Sequence, residues 1–139
     1  MPRFLVFVPG SEDSEAGQLP STEQVDEMTK FNEKLADAGL MVEGAGLAPM
    51  AESKRIRFEG GKATVLDGPF AEAKELVAGY WELEAKSLDE VLQWMKKAPF
   101  DGGVEITVRP VTGLEDFDEI ITPEIRERQE RIQKKIQQR

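Results

Sequence analysis

The sequence predicts an α+β domain. Three observations carry this. Two strand–helix–strand units follow one another, a β-hairpin signal lies between them, and the helices have one apolar stripe each while the first strand is apolar on both faces. The chain of 139 residues suits a single hydrophobic core. Its apolar content of 40% and charged content of 32% are ordinary for a globular protein, so neither disorder nor a fibrous architecture is expected.

Arg3 to Val8 reads as the first strand. Phe4, Val6 and Val8 fall on one face and Leu5 and Phe7 on the other, the pattern of a central strand. Pro9 to Pro20 carries Glu12, Asp13 and Glu15 among glycines and small residues. It reads as a mobile acidic loop, solvated or serving as a lid. Ser21, with Gln24 three residues on, opens a helix through a capping box. Val25, Met28, Phe31 and Leu35 form its expected buried stripe, and Gly39 ends it.

Leu40 to Leu47 is the second strand, loosened by Gly44 and Gly46 and broken at Ala48-Pro49. Lys54 to Leu66 forms a hairpin about Gly60-Gly61, a strong two-residue turn signal. That register pairs Phe58 with Ala63 and Ile56 with Val65 on one face, leaving Arg55, Arg57 and Thr64 on the other. The two arginines suit an anionic ligand, and equally an exposed sheet face or ion pairs with surrounding acids.

Asp67-Gly68-Pro69-Phe70 then redirects the chain, and Ala71 to Leu76 is expected to add about one helical turn. Val77 to Ala85 is the next strand, with Val77, Gly79, Trp81 and Leu83 on one face and Ala78, Tyr80, Glu82 and Glu84 on the other. Ser87, with Glu90, caps a second helix whose stripe is Leu88, Val91, Leu92 and Met95, and Pro99 stops it. Val104 to Arg109 is the last strand.

The order is that of a ferredoxin-like βαββαβ domain with an inserted β-hairpin, spanning residues 1–111. Both helices cover one sheet face, so the apolar residues of the other face require a second copy, and a homodimer is expected. Residues 112–139 form a separate extension ending in a charged helix. Thr122 and Pro123 open it, and Glu124–Arg128, Glu127–Arg131 and Glu130–Lys134 are spaced as supporting pairs. Its stripe of Ile125, Ile132 and Ile136 is thin, as suits a helix packed on a dimer partner or an arm in solvent.

Composition removes several chemistries. The chain has no Cys and no His, which excludes disulfides, thiolate nucleophiles, a Ser-His-Asp triad and His-ligated zinc. The acids lack the spacing of a calcium loop, and neither a metal nor another cofactor is expected. A net charge of −9 opposes nucleic-acid binding. No apolar run reaches the length of a membrane span, and the N-terminus turns polar after Val8, too early for a signal peptide, so a cytoplasmic location is expected.

The stretch Asp67-Gly68-Pro69-Phe70-Ala71-Glu72-Ala73-Lys74-Glu75, followed by Gly79-Tyr80, by Ser87-Leu88-Asp89-Glu90 and by the strand ending at Arg109-Pro110, resembles the YCII-related family. Within that family it resembles the group named for its Asp-Gly-Pro-Phe motif. The resemblance covers roughly Met1 to Val111. It implies a dimeric α/β barrel, in which two ferredoxin-like sheets pack face to face with a cleft in each half. The wider family is associated with a His–Asp pair, which a chain without His cannot form. The motif group resembles proteins encoded beside extracytoplasmic-function sigma factors, which implies a protein partner reached through the acidic surface or the tail.

Three readings of function follow. The first is a small-molecule-binding or sensing module whose ligand contacts come from Arg55, Arg57, Asp67, Phe70 and Tyr80. The second is a cofactor-independent isomerase or lyase acting on a small carbonyl compound. Asp67 is then the catalytic base, and Arg57 or Tyr80 steadies an oxyanion. The third is a protein-interaction partner. Asp67 also suits a structural part, since an Asp ahead of Gly-Pro commonly bonds the backbone of its own turn.

Overall fold

A computed structural model describes residues 1–70 and 76–139. Residues 71–75, on which the expected helical turn after Phe70 falls, lie outside the described residues. Four strands, β1 (Arg3–Pro9), β2 (Met41–Gly46), β5 (Val77–Glu84) and β6 (Thr107–Pro110), form one antiparallel sheet in the order β2-β5-β1-β6. Strands β3 (Lys54–Glu59) and β4 (Lys62–Asp67) form a separate two-stranded hairpin inserted between β2 and β5. The described residues also form four α-helices: α1 (Glu12–Glu15), α2 (Thr22–Asp37), α3 (Leu88–Met95) and α4 (Pro123–Gln137). This is the ferredoxin-like α+β arrangement, with a hairpin insertion and a C-terminal helix.

The core lies between the sheet and the helices α2 and α3. Phe4 and Val6 of β1, Trp81 and Leu83 of β5, Phe31 and Leu35 of α2, and Val91 and Met95 of α3 are buried together. Trp81 is its centre. Its ring meets Phe31 and Phe100 edge to face at centroid distances of 5.9 and 6.2 Å, and its Nε1 donates to Asn32 Oδ1 at 2.8 Å. The bond matters because a shielded indole N–H without an acceptor carries its full desolvation cost.

The hairpin register is as the two-residue turn requires. Gly60 and Gly61 have φ of +58° and +77°, and Phe58 faces Ala63 while Ile56 faces Val65. Ser21 and Gln24 form the expected capping box of α2.

Four expectations are corrected. The segment after Pro9 is ordered into α1, because Ser11 and Ser14 cap each other's backbone N–H groups at 2.8 and 3.1 Å. Val25 of α2 is 50% exposed, leaving Phe31 and Leu35 as the buried stripe. In α3 the face toward the sheet is Val91 and Met95, one turn apart, while Leu88 and Leu92 are exposed. The step of about 100° per residue turns Leu92 away from the line on which Val91 sits. Strand β6 begins at Thr107 rather than Val104, since its ladder with β1 runs only from Phe7–Thr107 to Phe4–Pro110. Beyond Phe7 the ladder with β6 stops while β1 stays paired with β5 through a bulge at Val8/Pro9, so residues 104–106 lie outside β6.

The second face of the sheet carries no helix of the core. Leu5 and Phe7 of β1 and Tyr80 of β5 lie half-buried there. Glu82, Thr107 and Arg109 share that face, and Arg3 bridges to Glu82 at 3.2 Å.

Candidate functional site

One end of the sheet collects several chain reversals. β1 stops there, β2 leaves for the hairpin, and β5 enters. Gly10 N–H donates to Leu76 O at 2.7 Å, and Leu47 N–H donates to Ala78 O at 2.7 Å, fixing both departures. Gly10 allows a close approach: a Cβ there would stand 2.9 Å from Leu76 Cβ. The hairpin neck is held by Gly68 N–H donating to Ser53 O at 2.8 Å, and by Glu15 Oε2 accepting from Met50 N–H at 2.8 Å. A Cβ on Gly68 would collide with the backbone oxygens of Met50 and Ser53. The glycine of the Asp-Gly-Pro-Phe stretch is therefore required by a neighbouring backbone segment as well as by its own turn.

At this neck the structure brings together one pair of the residues singled out from sequence, Arg55 and Phe70, and joins a third, Asp67, to Lys54. Asp67 Oδ1 lies 2.6 Å from Lys54 Nζ, joining the first and last residues of the hairpin ladder. The Asp67 side chain is 77% exposed. The Arg55 guanidinium lies over the Phe70 ring, 3.8 Å from its centroid, which closes one ring face with a cation. Arg57 is further out, exposed and opposite Thr64. Tyr80 is not part of this group: it sits in the main sheet between Phe7 and Ala45, at a position alternate to the core residue Trp81.

A cleft of about 330 Å³ opens where β1 ends and β5 and β6 begin. Phe7, Val8, Leu76 and Val77 give it apolar walls, and Glu105 and Thr107 give it polar groups. None of Arg55, Arg57, Asp67, Phe70 and Tyr80 is among its described lining residues. Tyr80 instead borders a second hollow of about 270 Å³ with Met28, Asn32 and Trp81. Sequence reasoning missed Glu15, Glu105 and Thr107. The second-face position of Phe7 was the one available signal for the cleft. Among the described residues, no group of three acidic side chains is placed to hold a metal ion. No described helix is long and apolar enough to cross a membrane.

The fold and this sheet end define a ferredoxin-like α+β protein with one sheet face turned away from the core helices and a small cleft at the end of β1. Residues 3–115 match the YCII-related domain, and the chain belongs to that family. It is also 33% identical over 89 residues to an uncharacterized protein of Rhizobium meliloti (strain 1021), an alignment covering 61% of this chain and 70% of that protein.

Proposed function

We propose that this protein is a cytoplasmic, homodimeric small-molecule-binding module of the Asp-Gly-Pro-Phe group, built from residues 1–111. Its bare sheet face closes on a second copy as a dimeric α/β barrel, and the ligand enters the cleft at the end of β1. The observation that carries the reading is that cleft. Its volume of about 330 Å³ lies at the small end of ligand sites, and its apolar walls meet a carboxylate and a hydroxyl at Glu105 and Thr107. Such a lining suits a small compound with an apolar body and a hydrogen-bond-donating or cationic end.

Within this reading Asp67, Arg55 and Phe70 shape the hairpin neck. An isomerase or lyase with Asp67 as its base draws less support from the geometry. The carboxylate is 77% exposed and bonded to Lys54, whereas a proton-abstracting base gains from desolvation.

The test is a native mass spectrum of protein purified from its source cells, beside a Thr107→Trp variant that fills the cleft. The reading expects a small non-covalent adduct on the wild-type protein and its loss from the variant. An adduct retained equally by both, or wild-type protein free of any adduct, overturns it.

A further inference from the structure

The C-terminal helix and the outer side of α2 carry matching features that the single chain leaves apart. α4 has no buried residue, and Ile125, Ile132 and Ile136 are 38%, 55% and 53% exposed along one side. The segment 123–139 holds six basic and three acidic residues, a net +3 in a chain of net −9, so the rest of the chain carries −12. α2 is acidic, with Glu23, Asp26, Glu27, Glu33 and Asp37 against Lys30 and Lys34. Beside it runs an apolar groove of about 420 Å³ lined by Pro20, Val25, Met28, Pro99 and Phe100, with Glu27 among its walls. Val25 is 50% exposed in that groove.

We infer that α4 of one copy docks in the α2 groove of a second copy. The isoleucine stripe fills the apolar floor and the basic flanks face the acids of α2. Strand order argues for exchange between copies. α4 follows β6, at one edge of the sheet, while α2 packs beside β2, at the opposite edge, and is bonded to the neighbouring β5 through Asn32 and Trp81. The groove contains no residue of the chain's own α4. A two-fold that sets β6 of one copy beside β2 of the other carries the arm to its groove. This docking rests on the homodimer proposed above.

The chain has no cysteine, so engineered thiols report cleanly. Two differently tagged copies, one carrying Ile132→Cys and the other Val25→Cys, are co-expressed and purified by both tags. Docking places the thiols at an effective concentration of about millimolar, so a disulfide-linked heterodimer forms about a thousandfold faster than for freely colliding micromolar chains. A control pairs Ile132→Cys with Glu43→Cys, which lies in β2 rather than in the groove. Rapid linkage of the first pair alone, slowed by high salt, is the expected result. A dimer by light scattering with no preferential linkage overturns the docking and leaves the dimer standing. A chain carrying both thiols that links only within itself also overturns it. A monomer by light scattering overturns the dimer itself.

Discussion

Glu15 Oε2 accepts the backbone N–H of Met50 at 2.8 Å, tying the short helix after β1 to the neck of the hairpin. The contact joins residues 35 positions apart and is partly shielded from water. Glu15→Ala should cost about 1.5 kcal/mol, the lower end for a hydrogen bond to a charged group. It should also speed amide exchange at Met50, while Glu15→Gln, still an acceptor, should preserve most of the protection. Unchanged exchange at Met50 in the alanine variant would show that the contact holds nothing in place.

Gly68 faces the backbone oxygens of Met50 and Ser53. Neither oxygen belongs to a flexible side chain, so Gly68→Ala must displace the hairpin neck. A loss of about 1–3 kcal/mol in denaturant unfolding is expected, the range for overpacking a tight site. A variant as stable as wild type would contradict the close approach.

Asp67 and Lys54 form a largely exposed pair, with side chains 77% and 65% accessible. Both Asp67→Asn and Asp67→Ala should therefore cost less than about 1 kcal/mol, and the difference from wild type should shrink at high salt. A loss well beyond this in either variant would assign Asp67 more than an exposed ion pair. If both variants melted higher than wild type, Asp67 would not be steadying the turn.

Much of the fold was legible because its signals are local. The Ser21–Gln24 capping box, the Gly60-Gly61 turn and the alternation of β1 each act within a few residues. The errors arose where a distant partner decides. Residues 104–106 look like strand, yet the β1–β6 ladder stops at Phe7–Thr107, just before the bulge of β1 at Val8/Pro9. Glu15 looks like one acid in a solvated loop, yet the peptide N–H it binds is at Met50. The site was less legible for the same reason. Asp67 and Phe70 stood out by motif and Arg55 by its hairpin face, and Arg55 does meet Phe70 at the hairpin neck, but the cleft is made where the ends of three strands meet. Thr107 and Glu105 carry no mark in the sequence that separates them from other surface residues.

The tail should be separable from the domain. α4 buries none of its residues, and its root is held by the pair Arg126–Asp118 at 2.6 Å. Removing residues 118–139 should leave a cooperative thermal transition and a folded sheet by circular dichroism. The proposed docking of α4 on a second copy further predicts a weaker dimer after this truncation, read as earlier dissociation on dilution. An insoluble or unfolded product would make the tail part of the core.

The central claim is that the bare sheet face of Leu5, Phe7 and Tyr80 is closed by a second copy. Static light scattering of the full chain at micromolar concentration tests it most directly. The account predicts a particle of twice the 15.5 kDa chain mass. A particle of the single-chain mass that still melts cooperatively would contradict it.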